Sequence, residues 1–280
     1  MQYRTGRAGI FRQLDEGAGT AVRIRRPDGT PITARKPTFR PMKIPVLHED
    51  DHLLVVDKPA DVLTVPDRHD PDIPNLKQTL ADRYGTIIPV HRLDRPTTGL
   101  LVFARTPEAH RGLSMQFEKR DVEKVYLALV DGVPEPAEGE IDEPIAPHPS
   151  KVGRMMVTNR GGKFARTDYK VMETFGKFSL VGVQIFTGRT HQIRVHLAYL
   201  GHPLIVDPFY GKRTEFMLSE IKGRRYNKGK HEVERPLLSR VPLHAARLGF
   251  THPATEEWMH FEVEPPKDMR AMINQLQKLR

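Results

Sequence analysis

Apolar positions recur along this chain with two periods, and each period predicts one kind of element. Ala165, Thr167, Tyr169 and Val171 alternate with Arg166, Asp168 and Lys170, and Met259, Phe261 and Val263 repeat the spacing of two. Both stretches predict half-exposed strands. Leu54-Val55-Val56 and Leu100-Leu101-Val102-Phe103-Ala104 are unbroken apolar runs that read as buried strands. A helical period takes over after Thr106-Pro107, where Ala109, Leu113 and Phe117 share a side; threonine before proline is a helix start. Ile193, Leu197 and Leu200 recur at i, i+4 and i+7, with Thr190 as N-cap, Gly201 as the glycine past the end and Pro203 beyond, predicting a helix over 191–200. Pro265-Pro266 breaks the chain, and Met269, Met272, Ile273, Leu276 and Leu279 mark a closing amphipathic helix over 267–279. Residues 1–43 are rich in Arg, Gly and Pro and carry no helical period, which suits a basic arm or hairpin set before a main domain over 44–280. No internal repeat signals a solenoid.

Within this pattern one turn concentrates chemistry. His91-Arg92-Leu93-Asp94-Arg95-Pro96-Thr97-Thr98-Gly99 lies between apolar Ile87-Ile88 and the run from Leu100. Proline and glycine make it a constrained loop at the mouth of a sheet, where a single carboxylate, Asp94, sits among arginines. Taken alone, such an acid is satisfied by arginine in a surface turn. The 191–200 helix changes the balance. His191 and Arg194 stand three residues apart on a face beside its apolar stripe, and an arginine there needs an anionic partner. Asp94 is the candidate.

These segments resemble the motifs of the RluA family of RNA pseudouridine synthases. Besides the Asp94 and 187–203 segments, the matches are Leu54-Val55-Val56-Asp57-Lys58-Pro59-Ala60, Lys124-Val125-Tyr126-Leu127-Ala128-Leu129-Val130, and Leu243-His244-Ala245-Ala246-Arg247-Leu248 leading to His252-Pro253. They occur in the family's order and cover about residues 44 to 266. The resemblance implies a mixed α/β (α+β) fold with a largely antiparallel sheet flanked by helices, in one catalytic domain. It makes Asp94 the catalytic aspartate, Arg194 its salt-bridge partner and Tyr126 the active-site tyrosine that stacks on the target base. Arg92 would face the RNA and fill the space left by a flipped base. His91, Thr98, Arg189, His191, Val195 and Leu197 are expected near the substrate, Val195 and Leu197 as pocket wall or helix packing. Tyr126 by itself would read as a core strand tyrosine, and Arg92 as a phosphate contact or surface ion pair.

The match departs from the family pattern at Thr98 (often serine), Arg105 (often lysine) and Val206-Asp207-Pro208-Phe209-Tyr210-Gly211 (commonly Gly-Asp-x-x-Tyr-Gly). None is expected to touch the acid or its partner. Many members carry an N-terminal S4-type RNA-binding domain, for which residues 1–43 are too short and too turn-rich. Thr64-Val65-Pro66 resembles members acting on both tRNA anticodon stem-loops and large-subunit rRNA.

Composition fits a polyanionic partner: 44 Lys+Arg against 35 Asp+Glu give a net charge of +9. Residues 211–235 are rich in Lys and Arg with few acids, and Arg224, Arg225, Lys228 and Lys230 there are candidate RNA-phosphate contacts, a solvated loop being the plain alternative. There is no cysteine, so disulfides and thiolate metal sites are excluded. His191 and His196 stand five apart, which is not the helical i, i+4 pair of a zinc site. Isomerising uridine is redox-neutral, so neither metal nor organic cofactor is expected. The start has no apolar leader and no run reaches the ~20 apolar residues of a membrane span. The expectation is a cytoplasmic monomer with no membrane partner, acting on rRNA or a tRNA stem-loop. Two rivals remain: a non-catalytic RNA-binding or ribosome-assembly factor, and a nucleoside or glycosyl hydrolase using Asp94 on a small substrate.

Overall fold

Strand-forming runs dominate the described residues, which in this computed structural model are 43–223, 226 and 234–278. The arm or hairpin expected over 1–43 lies outside them apart from Lys43, as do Arg224, Arg225, Lys228 and Lys230. The strands are β1 (Val46–Glu49), β2 (Leu53–Lys58), β3 (Ile88–Pro89), β4 (Thr98–Ala104), β5 (Glu123–Asp131), β6 (Glu138–Asp142), β7 (Ile145–Pro147), β8 (Met155–Val157), β9 (Arg166–Phe175), β10 (Phe178–Ile185), β11 (Leu243–Thr251) and β12 (Trp258–Glu262). The helices are α1 (Leu76–Tyr84), α2 (Pro107–Lys119), α3 (Gln192–Tyr199), α4 (Leu218–Lys222) and α5 (Lys267–Gln277).

Ten strands form one sheet in the order β1-β2-β4-β11-β5-β10-β9-β6, with β12 beside β11 and β3 beside β4; β7 and β8 pair separately. The pairing is antiparallel except between β4 and β11, where His244 faces Thr98 and Ala245 faces Gly99. The fold is therefore α+β with a largely antiparallel sheet. At that parallel contact Gly99 has φ +108°, and a Cβ there would stand 2.2 Å from the Ala245 carbonyl oxygen, so no side chain fits.

The sheet is covered on both sides, which explains the unbroken apolar runs. All seven residues of β4 are buried. Leu54, Val56, Leu101 and Phe103 pack with Leu76 and Leu80 of α1 and, along the sheet, with Ile193 and Leu197 of α3. The alternate residues Leu53, Val55, Leu100 and Val102 pack with Ala109 and Leu113 of α2. Met269, Met272 and Leu276 of α5 bury Leu129, Phe175 and Phe178.

The Thr106 side chain caps α2 as expected, accepting from the Ala109 N–H. The 191–200 helix starts differently. His191, not Thr190, holds the cap position, in the left-handed region at φ 58° and without a side-chain cap bond. Gln192 closes that corner instead: its Oε1 accepts from Thr187 Oγ1 and Arg189 N–H, and its Nε2 donates to Arg166 O and Thr167 Oγ1. Part of the basic 211–235 stretch is also built in, since α4 lies within it. Arg213 donates to both Asp131 carboxylate oxygens (2.9 and 2.7 Å) and to Glu220 (3.1 Å), so it is not held for a phosphate.

Candidate active site

Asp94 sits on the loop between β3 and β4, and the surrounding chain anchors that loop from several sides. The Asp94 carbonyl accepts from the Thr97 N–H at 3.0 Å, closing a turn over Arg95-Pro96. Thr64 Oγ1 donates to Leu93 O and accepts from Leu93 N–H. The fully buried Lys58 at the end of β2 donates to Pro59 O, Arg95 O and Thr97 O at 2.9, 3.0 and 2.7 Å, using all three of its ammonium hydrogens. Burial pushes the Lys58 pKa down to about 7, while Asp61 and Asp94 pull it upward. The turn chemistry legible in the sequence thus needs a clamp from a different strand to become rigid.

This loop lines a cavity of about 560 Å³ together with the end of α2, β5 and the start of α3. His91, Arg92, Asp94, Tyr126, Arg189, His191 and Arg194 line it. One Asp94 carboxylate oxygen lies 3.6 Å from Arg194 Nη1 and 3.9 Å from His191 Nε2. Tyr126 is buried in the cavity wall, and burial followed by the Asp94 charge pushes its phenol pKa up, so the hydroxyl keeps its proton.

The expected Asp94–Arg194 pairing exists, but it is the weaker of two. Arg194 Nε and Nη2 grip Asp207 at 2.7 and 2.8 Å. Asp207 has 0% exposure, and its Oδ1 also accepts the Phe209 and Tyr210 N–H groups. The guanidinium lies 5.5 and 5.1 Å from the Phe209 and Tyr210 ring centroids. With its fork fixed on Asp207, Arg194 presents the remaining nitrogen, Nη1, to Asp94. The 206–211 loop was expected to lie clear of the acid and its partner; instead it carries the residue that orients the partner. A sequence signal for this was present, because an aspartate directly after apolar Leu204-Ile205-Val206 is placed for burial and then needs a cation.

The same loop sets the His191 tautomer. The Tyr210 hydroxyl accepts from the Met155 N–H at 2.8 Å, leaving its own proton for His191 Nδ1 at 2.8 Å. A neutral His191 then carries its hydrogen on Nε2, the nitrogen nearest Asp94. Burial lowers the His191 pKa, and Asp94 opposes that shift.

Thr98, expected near the substrate, lies outside the cavity, and of the two readings for Val195 and Leu197 the structure shows helix packing. Thr98 is buried and bonds His244 Nδ1 at 2.9 Å, joining β4 to β11. Val195 packs with Ile145 and Ala165, and Leu197 packs in the main core, because α3 is buried nearly all round rather than along one stripe. His196 is likewise internal, bonded to Thr167 Oγ1 and Glu143 O. Among the described residues no group of three His, Cys, Asp or Glu is arranged to hold a metal ion, and no helix is long and apolar enough to cross a membrane.

Comparison with known proteins bears on this geometry. Residues 52–199 match the family model described as RNA pseudouridylate synthase. A Chloroflexus aurantiacus protein named as an uncharacterized RNA pseudouridine synthase is 45% identical over 188 residues, 67% of this chain and 53% of that protein. Ribosomal large subunit pseudouridine synthase D of Nitrosomonas europaea is 40% identical over 249 residues, 85% of this chain and 66% of that protein. The matches therefore span between about half and two thirds of these curated relatives. Among solved structures, the human RNA pseudouridylate synthase domain containing 4 aligns with a TM-score of 0.63 at 26% identity, covering 83% of this chain and 93% of that one.

Proposed function

Because the chain belongs to the RNA pseudouridylate synthase family, we propose that it isomerises uridine to pseudouridine in RNA, with Asp94 as the acting carboxylate. The observation that carries this reading is Asp94 itself, at the wall of a cavity of about 560 Å³ and 3.6 Å from an arginine nitrogen whose other two nitrogens are committed to Asp207.

The reaction breaks the bond from C1′ to N1, turns the base, and joins C1′ to C5; C5 loses its hydrogen and N1 gains one. Asp94 serves either by attacking C1′ or by removing a sugar proton, and both routes act through the carboxylate oxygen that lies 3.6 Å from Arg194 Nη1. Tyr126 stacks on the extruded base, worth about 1–3 kcal/mol against the unstacking cost, and its retained hydroxyl proton is a donor to that base. Arg92, exposed at the cavity, takes the place of the flipped base, and Arg189 and His191 face the incoming strand. The name of the Nitrosomonas europaea relative supports large-subunit rRNA as the substrate, with a tRNA stem-loop as the other RNA to assay, and the reading takes the enzyme as a monomer working in the cytoplasm.

Tritium release from [5-³H]uridine RNA tests the reading, since C5 surrenders its hydrogen only when the new bond forms. Protein dialysed against EDTA is expected to release tritium at the rate of untreated protein, once Mg²⁺ for RNA folding is restored, because the chemistry is redox-neutral. Recovery only with a transition metal would refute the metal-free mechanism. Stable RNA binding without any release would favour a non-catalytic RNA-binding factor.

Arg224, Arg225, Lys228 and Lys230 are proposed to add affinity through phosphates, which carry no base information. Changing all four to alanine is expected to weaken binding and to lower the slope of log affinity against log salt by about 0.7–0.9 for each phosphate no longer neutralised. The modified position should stay the same. Wild-type affinity and slope would reduce the segment to a solvated loop.

A further inference from the structure

The cavity extends beyond Asp94 and Tyr126 to a second polar group that the isomerisation does not use. Lys124 stands two residues from Tyr126 on β5, so the two-residue period turns both side chains the same way, about 6.6 Å apart along the strand, and both line the cavity. Lys124 is 7% exposed. Among the described residues its ammonium has no ion pair within 4.0 Å and no hydrogen bond; it lies over the Phe117 ring, 5.5 Å from the centroid.

The groups around it do not supply a counter-charge. His91 and Arg92 come from the Asp94 loop, Glu118 and Arg120 from the end of α2, and Asp94 lies further along the same cavity. Glu118 reaches the cavity without pairing to Lys124, and Arg120 is a second cation. His91 stacks on Phe117 at 4.7 Å, and its Nε2 accepts the Val102 N–H at 3.2 Å. Burial holds the His91 pKa down to about 3, so the ring is neutral and its one hydrogen is on Nδ1. The same effect, with Arg120, holds Lys124 down to about 8. An ammonium buried without an anion costs stability, and a methionine of the same length would pack there without that cost. The site is consistent with an anion that arrives with the substrate.

We propose that Lys124, which meets the same Phe117 ring as His91, binds a backbone phosphate of the RNA next to the uridine lodged over Tyr126. The inference rests on the reading of the cavity as a uridine site, and it adds which part of the strand is gripped there.

The test uses the full chain and a stem-loop RNA carrying the uridine it modifies, made with a neutral methylphosphonate at each linkage around that uridine in turn. Lys124→Met is expected to melt at or above the wild-type temperature, to bind the unmodified RNA about tenfold more weakly, and to lose about 0.7–0.9 from the salt slope. One methylphosphonate linkage should cost wild type a similar factor and cost Lys124→Met nothing further. Lys124→Arg should recover binding, and its affinity should hold from pH 7 to 9 where that of wild type falls as the lysine deprotonates. Equal loss at that linkage in wild type and Lys124→Met, or unchanged affinity and slope in Lys124→Met, would overturn the phosphate contact. Lower melting temperature without a linkage-specific effect would make Lys124 a packing residue. Wild type that binds but never isomerises the uridine would instead overturn the reading of the cavity, separately from the role of Lys124.

Discussion

Asp94→Asn protein is expected to release no tritium above background from [5-³H]uridine RNA while binding that RNA with nearly wild-type affinity. The amide keeps the shape of the carboxylate and its place above the Asp94–Thr97 turn, but it neither attacks C1′ nor takes a sugar proton. The loss should exceed about 10³-fold, equivalent to about 4 kcal/mol of transition-state stabilisation. Folding should be unaffected, since the loop is anchored by Lys58 and Thr64 through backbone groups rather than through the Asp94 side chain. Filter binding and a thermal melt complete the measurement. Clear turnover by Asp94→Asn would remove Asp94 from the mechanism, and lost binding would recast it as a substrate contact.

The second large effect concerns the buried pair behind Asp94. Arg194→Met leaves Asp207 charged at 0% exposure, and Asp207→Asn leaves Arg194 without its bidentate partner. Each single change is expected to cost about 3–5 kcal/mol, the usual consequence of stranding one member of a buried pair, and to lower the melting temperature by about 10 °C. Asparagine is chosen because its Oδ1 still accepts the Phe209 and Tyr210 N–H groups that aspartate accepts. The double variant should regain most of the stability, since no uncompensated charge remains between those two positions. It should stay inactive, because nothing then presents a cation to Asp94. Arg194→Lys should also turn over slowly: a single ammonium cannot hold both Asp207 oxygens and face Asp94 as a planar guanidinium does. If Arg194→Met and Asp207→Asn melt and turn over as wild type does, the pair has no role in either stability or catalysis.

The particular elements divide by the range of the interactions that make them. Helix α2 was readable because its start depends on Thr106 and Pro107 acting within one turn. Strands β9 and β12 and helix α5 followed their apolar periods, since each lays one face on the core. The start of α3 was misread: Thr190 has cap chemistry, but Gln192 is held by Thr187, Arg166 and Thr167, and this forces the helix to begin after a left-handed His191. Helices α1 and α4 were not anticipated. The resemblance placed Thr98 near the substrate and Val195 and Leu197 as pocket wall or helix packing; all three turn into the core, because adjacent residues on a strand or helix point to different sides.

What the sequence determined by itself was the set of local faces, caps and turns, among which Asp94 and Arg194 stood out as charges needing partners, while Tyr126 was marked only by the resemblance to the RluA family. Those features arise between residues a few positions apart, so residue type and spacing are enough to read them. Only the tertiary structure decided how the charges pair. Arg194 has two acids within reach, one 100 positions earlier in the chain and one 13 later. Sequence distance does not rank them; burial does. Asp207, fully enclosed, cannot be left without a cation, whereas Asp94 keeps contact with the cavity, so the guanidinium commits its fork to Asp207 and leaves a single nitrogen for Asp94.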